Sequence, residues 1–476
     1  MAKKVRRKVA RRTGSKKFRK KIKSNIEIEN NPEYGLAPNK TTLELEKYKR
    51  ELRRTRDSAS FRVGNLIIES VIRPWKLILL PFKFILISWQ LASEILGMKR
   101  TPTEIVTNEN VKLNKKTIVV FPTNGIGFGH FTRLLAISKQ IKKREPEIEI
   151  IFFTTMSTLH LLKEQGGFVG YHIPGRKKFP KMDARTWNTL TEEFIENVFS
   201  IHKPSMFIFD GAFPYRGMLN SIRNQKNMKK FWLRRGTFKK GVSNMPIDSI
   251  NHFDYIIRPK DSVEIDYDNE EDFNPDLITC DPILLLNKEE LEIKSDVLAK
   301  LAIPENSIVV YVQLGAGNIN DIDSEMNMTL DALSKYEDIY VVLGESMIGS
   351  RLNISGERIR IIRDYPNSRF FDSFDFGIMA AGYNSYHEAI QFSLPTIFYP
   401  NLNTGRDDQF ARAKVSEEIG AMVVLRKRTK KNITAAIEKL YNNSVRKRMK
   451  DKCAQLHKEN GADQIAKFIV KEIKNF

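Results

Sequence analysis

Two glycine-rich turns and their polar neighbours are the part of this 476-residue chain best suited to chemistry. The later turn, at residues 380–390, follows an apolar run and reads Ala-Ala-Gly-Tyr-Asn-Ser-Tyr-His-Glu-Ala-Ile. An apolar strand, a glycine turn and a helix that starts in polar groups place backbone N–H donors at a helix N-terminus, where an anionic phosphate is favoured. Glu388 falls within the first turns of that helix, where its carboxylate can accept hydrogen bonds from a sugar.

The same order of strand, glycine turn and helix occurs twice more. Residues 117–130 read Thr-Ile-Val-Val-Phe-Pro-Thr-Asn-Gly-Ile-Gly-Phe-Gly-His, and the apolar residues that follow recur at helical spacing. Residues 307–314 form another apolar run, which ends in Gly315, Ala316 and Gly317. Glycines without a Cβ let the backbone turn sharply and approach a ligand closely. Openings of this kind so far apart in the chain predict two Rossmann-like halves.

His130 and Asp210 are the candidate catalytic residues of the first half. His130 lies in a glycine turn, and an imidazole that titrates near neutrality can take the proton of an acceptor hydroxyl. Asp210 ends the apolar run 206–209, so its carboxylate should face the same cleft. Asp210 could orient His130, or it could be the base itself while His130 holds a phosphate. The alternatives without chemistry are a helix-capping His130 and a turn-initiating Asp210.

Three arginines of the first half are candidates for binding a diphosphate, because guanidinium groups bind phosphate oxygens with two hydrogen bonds. Arg133 follows the glycine turn, and Arg234 and Arg235 follow an apolar strand at residues 230–233. Each of them alone is also compatible with an ordinary surface arginine.

Residues 125–133, 313–318 and 381–409 resemble the glycosyltransferases of the two-Rossmann GT-B fold. They are most similar to the lipid-linked N-acetylglucosaminyl transferase of peptidoglycan synthesis and to the capsule and envelope polysaccharide transferases. The resemblance implies an α/β protein whose two Rossmann-like domains face each other across a cleft. Residues 115–285 would form the acceptor domain, 300–440 the nucleotide-sugar domain, and 441–476 helices that pack back on the first domain.

The same resemblance implies a role for each motif residue. On the acceptor side, Gly127 and Gly129 would approach the acceptor or its phosphate. On the donor side, the backbone of Gly315, Ala316 and Gly317, directly after the first strand, would approach the diphosphate. Asn384 and Ser385 would contact phosphate oxygens, and the carboxylate of Glu388 would bind ribose. Asp408 and Gln409, an acid and an amide, would bind the transferred sugar. Asp407 could replace Asp408, because the spacing is not identical.

The N-terminal hundred residues lie outside this resemblance. Of the formal net charge of +22, 13 charges come from the Lys and Arg of residues 1–25, which leaves +9 for the rest. We expect residues 1–60 to form a disordered basic tail and a charged helix. Residues 61–100 are apolar and aromatic with interspersed cations, but their longest uncharged run, 84–93, is shorter than the ~18 residues that a spanning helix needs.

Such a segment beside a polybasic tail predicts a peripheral anchor on an anionic membrane. No signal peptide pattern is visible, which predicts the cytoplasmic face. Ordinary core helices are the alternative. Nucleic acid is a less favoured partner of the basic tail, because the apolar residues at 77–80 and 85–87 suit lipid better than bases.

Neither the cysteines nor the carboxylates predict a metal site. The two cysteines, Cys280 and Cys453, are too far apart for a metal-ligand motif, and the Asp-x-Asp matches at 266–268 and 321–323 lie in polar stretches. We therefore expect no cofactor beyond the nucleotide-sugar co-substrate.

The leading hypothesis is a metal-independent transferase that moves a sugar, with inversion, from a UDP-sugar to a lipid-linked or polysaccharide acceptor. A nucleotide-sugar 2-epimerase has the same architecture but needs no membrane anchor. A non-catalytic nucleotide-sugar sensor or nucleic-acid-binding protein is the remaining alternative.

Overall fold

A computed structural model describes residues 59–95, 116–123, 127–223, 225, 227–234, 247–265, 275–315, 322–348, 351–404 and 407–475. The chain divides into two compact units, Met1–Val106 and Thr107–Phe476. Of the tail and charged helix predicted for residues 1–60, residues 1–58 lie outside the described residues, and so does the end of the anchor at 96–100.

The described part of the first unit is helical. It comprises α1 (Ala59–Ile72), a 3₁₀ helix (Pro74–Leu79) and α2 (Leu80–Ile95). Lys76 Nζ donates to Glu69 Oε2 over 2.7 Å, across the turn between α1 and the 3₁₀ helix. None of the described helices is both long and apolar enough to cross a membrane. The large apolar side chains exposed in this unit are Phe61, Ile67, Ile68, Val71, Ile72, Trp75, Ile78, Leu79, Phe82, Phe84, Ile85, Leu86 and Trp89.

The second unit contains two parallel sheets. The first has seven strands in the order β3-β2-β1-β4-β5-β6-β7. Its central strands are buried on both faces, which explains why they read as continuous apolar runs. The strands are β1 (Thr117–Pro122), β2 (Glu149–Thr154), β3 (Val169–His172), β4 (Met206–Asp210), β5 (Lys229–Leu233), β6 (Tyr255–Pro259) and β7 (Asp276–Cys280).

The second sheet has six strands in the order β10-β9-β8-β11-β12-β13. In each sheet the strand order reverses beside the first strand, between β1 and β4 and between β8 and β11. Ligands of open parallel sheets bind at the carboxyl ends of the strands on either side of such a point. The strands are β8 (Ile308–Gln313), β9 (Ile339–Gly344), β10 (Ile359–Ile362), β11 (Phe376–Ala380), β12 (Thr396–Tyr399) and β13 (Val423–Val424).

Helices connect the parallel strands and cover the sheets. Those of the first half are α3 (Gly129–Arg144), α4 (His160–Glu164), α5 (Ala184–His202), α6 (Arg216–Arg223) and α7 (Ile247–Ile250). Those that follow are α8 (Lys294–Lys300), α9 (Ile322–Leu333), α10 (Tyr383–Gln391), α11 (Gln409–Glu418), α12 (Lys430–Tyr441), α13 (Asn443–Ala454) and α14 (Gly461–Lys474). The predicted α/β architecture with two Rossmann-like domains is confirmed.

The two C-terminal helices pack on different halves. In α13, Met449 and Cys453 belong to the cores around the second sheet. In α14, Ile465 and Ile469 belong to the core around the first sheet, and Arg144 of α3 donates to Asp463. The return that the sequence predicts for all of 441–476 is therefore made by α14, because its apolar stripe fits the first core.

Candidate active site

A cavity of about 420 Å³ lies between the two sheets of the second unit. Its wall combines the start of α3 in the first half with the ends of β8 and β11 and the start of α10 in the second. The volume is within the range of about 300–1,000 Å³ that small-molecule sites occupy. The two strand-order reversals therefore contribute to a single cavity.

His130 lines the first-half wall and is hydrogen-bonded to Asp210, which is fully buried and is not part of the wall. His130 lies in the first turn of α3, and Asp210 is the last residue of β4. The distance from His130 Nδ1 to Asp210 Oδ1 is 2.6 Å. Arg133, one helical turn after His130, donates from Nε to Asp210 Oδ2 over 3.0 Å and from Nη2 to Oδ1 over 2.7 Å.

The contacts of the carboxylate determine the tautomer of His130. Arg133 Nη2 is also 2.8 Å from His130 Nδ1, but Nδ1 cannot donate to Asp210 and accept from Arg133 at once. The contact with the carboxylate is the shorter one, so we assign the proton to Nδ1. The lone pair of the neutral imidazole is then on Nε2, where it can accept a proton.

Asp210 is fully buried, and its charge is balanced by its neighbours. Burial alone would raise the pKa of its carboxyl, but the positive charges and hydrogen bonds of Arg133 and His130 outweigh burial and lower this pKa below its ordinary value. An ionised carboxylate that is held this firmly is a poor proton acceptor. The geometry therefore favours His130 as the base and Asp210 as the group that orients it.

The predicted phosphate-binding arginines have other surroundings. Arg133 lines the cavity, but its guanidinium is buried, is bonded to Asp210 and lies 5.3 Å from the ring centre of Tyr383. A buried carboxylate needs such a cation, so Arg133 balances the charge of Asp210, and its contact with a phosphate stays a prediction. Arg234 is buried and is not part of the cavity wall, and Arg235 lies outside the described residues.

Glycines shape both edges of the cavity. Gly127 and Gly129 line the first-half wall, and Gly315 lines the opposite wall directly after β8. Gly315 has φ of 108°, a conformation that residues with a Cβ rarely adopt, so a glycine is required at this point. Ala316 and Gly317, predicted to continue this loop, lie outside the described residues.

The start of α10 forms the second-half wall. Gly382 precedes the helix, and Asn384, Ser385 and Glu388 all line the cavity. Asn384 Oδ1 is buried and has no hydrogen-bond partner among the described residues. The nine-residue helix thus presents its N-terminal N–H groups and two polar side chains to the cavity, as an anionic ligand requires.

Glu388 is a buried carboxyl group at the cavity wall. Ser368 Oγ donates to its Oε1 over 3.0 Å. Burial outweighs this hydrogen bond and raises the pKa of Glu388 from 4.5 to about 7. The group therefore changes charge near neutral pH, in the position where the sequence predicts contact with a ribose.

The acid and amide at the start of α11 differ in part from the prediction. Asp408 accepts from Ala411 N over 2.9 Å, so it is the N-cap of α11, and it is not part of the cavity wall. Asp407 and Gln409 do line the cavity, and Gln409 Oε1 accepts from Asn401 N. A cap needs its side chain turned toward the helix, so the position of Asp408 does not support the predicted contact with the sugar. Asp407, the alternative from the sequence, occupies the cavity wall.

Neither a protein-family model nor a curated protein matches the sequence. Solved structures match with 74–76% of this chain covered, and several of them are named as glycosyltransferases. The structure titled Acinetobacter baumannii MurG is 15% identical, with 75% of this chain and 99% of that chain covered and a TM-score of 0.50. The calicheamicin glycosyltransferase is 14% identical, with 76% and 98% covered and a TM-score of 0.53. The chain has the GT-B fold.

A Medicago truncatula protein complexed with UDP-glucose has the same fold at 14% identity, with 75% of this chain and 98% of that chain covered and a TM-score of 0.51. The cavity of our chain thus lies between the two halves of a GT-B architecture.

Several contacts that join the GT-B halves have no local signal in the sequence. Thr132 Oγ1 of α3 and the Tyr365 hydroxyl, which belong to different halves, are 2.7 Å apart. Asp261, from the loop after β6, contacts both His387 and Arg412 of the second half. These residues are separated by more than a hundred positions in the chain, so only the fold reveals the contacts.

The described residues contain no group of three or more His, Cys, Asp or Glu that could hold a metal ion. The Asp-x-Asp sequence at 266–268 lies outside them, and that at 321–323 lies partly outside. Cys280 and Cys453 are free and buried, and burial raises the pKa of each thiol to about 12.

Proposed function

We propose that this protein transfers a sugar from a nucleotide-sugar, with UDP as the nucleotide, to an acceptor hydroxyl. The observation that carries the proposal is the opposition of two walls across one cavity. The oriented base His130 lies on the first-half wall, and the α10 N-terminus with Glu388 lies on the second. The named glycosyltransferases of the same fold, and the neighbour complexed with UDP-glucose, support this assignment.

The first chemical event is proton transfer. His130 Nε2 accepts the proton of the acceptor hydroxyl, while Nδ1 remains bonded to Asp210. The developing positive charge on the imidazole is stabilised by the ionised carboxylate. Arg133 holds that carboxylate in place from its other side and so fixes the orientation of the ring.

The bond exchange is a single displacement at the anomeric carbon. The acceptor oxygen forms the new C–O bond as the bond from this carbon to the diphosphate oxygen breaks, and the electron pair of the broken bond remains on the diphosphate. The N–H groups of α10 and the loop at Gly315 stabilise that charge. Because base and diphosphate are assigned to opposite walls, attack comes from the face opposite the leaving group, and the anomeric configuration inverts.

We further propose that the acceptor is a lipid-linked or cell-envelope polysaccharide at the cytoplasmic face of a membrane. The support is the first unit, where the described helices expose aromatic and aliphatic side chains, and the sequence of the chain's first 25 residues, which contains 13 cations. Apolar side chains enter the headgroup region, and cations are attracted to anionic lipids. Flotation with vesicles of phosphatidylglycerol and phosphatidylcholine tests this. Binding that requires the anionic lipid is expected, and no binding to either vesicle would refute the membrane assignment.

The activity itself is tested by incubating the protein with UDP-, dTDP-, GDP- and CDP-sugars and a lipid extract, in parallel with EDTA and with added divalent metal. Release of one nucleoside diphosphate, with the sugar recovered on a lipid or polymer, is the expected result. Conversion of the nucleotide-sugar to its 2-epimer without release would instead establish the epimerase alternative. A requirement for added metal would contradict the metal-independent mechanism.

A further inference from the structure

The loop that follows β6 in the first half contacts α10 and α11, the two helices whose first residues line the donor side of the cavity. His387 of α10 is fully buried, and its Nε2 lies 2.9 Å from Asp261 Oδ1. Its Nδ1 lies 2.7 Å from Ser262 Oγ, so both ring nitrogens contact consecutive residues of that loop. The helix that bears Asn384 and Glu388 is thereby anchored to the other half of the fold.

Arg412 of α11 connects the same loop to the cavity wall. It donates from Nε to Asp261 Oδ1 over 2.7 Å and from Nη2 to Asp407 Oδ1 over 2.9 Å. The guanidinium is fully buried and lies 5.6 Å from the ring centres of Tyr383 and Tyr386. One cation therefore links a carboxylate of the first half to a carboxylate that lines the cavity.

We propose that Arg412 is a positioning residue for the transferred sugar. It holds Asp407 in the orientation in which this carboxylate meets the sugar hydroxyls, and Asp261 holds Arg412 in turn. The inference rests on the proposed function, since it takes the cavity to bind a nucleotide-sugar. Sugar recognition then depends on three largely buried charged groups in series, Asp261, Arg412 and Asp407, of which the first belongs to the opposite half.

The charges explain why the position of Asp407 depends on Arg412. The side chains of Asp261 and Asp407 are 5% and 11% exposed, so neither can rely on water to stabilise its charge. Without the shared guanidinium the two carboxylates repel each other. The Asp407 carboxylate then lowers its free energy by turning toward the cavity, where water can solvate its charge. The nucleotide should be less affected, because among the described residues Arg412 forms no hydrogen bond or ion pair with Asn384, Ser385 or Glu388.

The test compares dissociation constants for UDP alone and for UDP-glucose, UDP-galactose and UDP-N-acetylglucosamine. Arg412→Lys retains the charge but replaces the planar fork, whose Nε and Nη2 each reach one carboxylate, by a single nitrogen. We expect it to weaken binding of the preferred UDP-sugar by about tenfold or more while binding of UDP stays within about twofold, because one charge-assisted hydrogen bond is lost. Asp261→Asn, which lies outside the cavity wall, should cause a smaller loss of sugar affinity together with a loss of UDP affinity, because Asp261 also contacts His387 of α10.

Arg446→Lys is the matched control. Arg446 is also a buried arginine of the second half, but it donates to the carbonyl groups of Leu440 and Tyr441 and contacts no cavity residue. Its substitution should leave the ratio of UDP to UDP-sugar affinity unchanged. The double variant Asp407→Asn with Arg412→Lys should bind the sugar no more weakly than Asp407→Asn alone, if Arg412 acts through Asp407.

Three results would overturn the inference while leaving the proposed function intact. Arg412→Lys could weaken UDP and UDP-sugar equally, the double variant could lose a further tenfold, or Arg446→Lys could reproduce the selective loss. If the unaltered protein binds no nucleotide-sugar, the proposed function fails and this inference fails with it. Should Arg412→Lys not fold, Asp261→Asn decides, and unchanged sugar affinity in that variant contradicts the linkage.

Discussion

Binding of the nucleotide should strengthen as pH rises through neutrality, and Glu388 should be the cause. Burial raises the pKa of Glu388 to about 7, and the carboxylate must be ionised to accept hydrogen bonds from both ribose hydroxyls. With that pKa, the Glu388 carboxyl is ionised in about a tenth of the molecules at pH 6 and in about nine tenths at pH 8. Because only the ionised fraction binds well, the apparent dissociation constant should fall about tenfold between these two values.

The variant Glu388→Gln isolates this effect. The amide keeps an acceptor oxygen but does not titrate, so the tenfold dependence should disappear while any titration of the nucleotide's own phosphate or of His130 remains. Ser368→Ala provides a second control. Its hydroxyl donates to Glu388 and lowers the pKa of that group, so its removal should move the midpoint to higher pH. The assay is isothermal titration calorimetry with UDP at half-unit steps of pH.

The same pKa shift predicts how stability depends on pH. Glu388 is an acid whose folded-state pKa, about 7, exceeds the reference value of 4.5, so the folded protein holds the proton more tightly than the unfolded chain does. The free energy of unfolding should therefore decrease as pH rises from about 4.5 to 7, by about 3 kcal/mol for this shift. Glu388→Gln should be more stable than the unaltered protein at pH 8 but not at pH 4.5. For the binding prediction, a dissociation constant for UDP that changes equally with pH in the unaltered protein and in Glu388→Gln would refute the assignment of the pH dependence to Glu388.

Three further predictions concern the first-half wall, the helix cap and the returning helix. Asp210→Asn should lower kcat by about 10²- to 10⁴-fold and leave the dissociation constant of UDP unchanged, since it disturbs the base and not the donor wall; equal losses in both would contradict this. Asp408→Ala should destabilise the protein by about 1 kcal/mol through loss of the α11 cap, with UDP-sugar affinity unchanged, whereas a selective loss of sugar affinity would restore the original assignment. Gly461→Ala should lower the melting temperature, because a Cβ there would lie 1.9 Å from the Asp281 carbonyl oxygen, and an unchanged melting temperature would show that this contact is relieved without cost.

The sequence predicts well those parts of the fold that local patterns determine. The buried strands at 117–122 and 206–210 are continuous apolar runs, and parallel sheets bring their carboxyl ends to one edge. His130 and Asp210 could therefore be placed close to each other although they are 80 residues apart. The order of apolar strand, glycine turn and polar helix start likewise predicts the positions of the glycine that precedes α10 and of Glu388 in that helix.

What the sequence does not predict depends on contacts between distant residues or on a shift of one position. Asp407 and Asp408 are adjacent acids, and the structure shows that the second caps α11 while the first faces the cavity. Arg133 resembles a phosphate ligand in the sequence, and only the structure shows that its guanidinium bonds to the buried Asp210. Asp261 has no neighbour in the sequence that marks it, because its partners His387 and Arg412 come from the other half.

The most direct test of the proposed transfer follows the anomeric proton of the donor sugar by NMR during a reaction with the preferred nucleotide-sugar and a lipid extract. We predict that the sugar appears on the acceptor with the opposite anomeric configuration as nucleoside diphosphate is released, and that His130→Ala abolishes this conversion while still binding UDP. Retention of configuration, or a rate in His130→Ala equal to that of the unaltered protein, would contradict the proposal of an inverting transfer with His130 as the base.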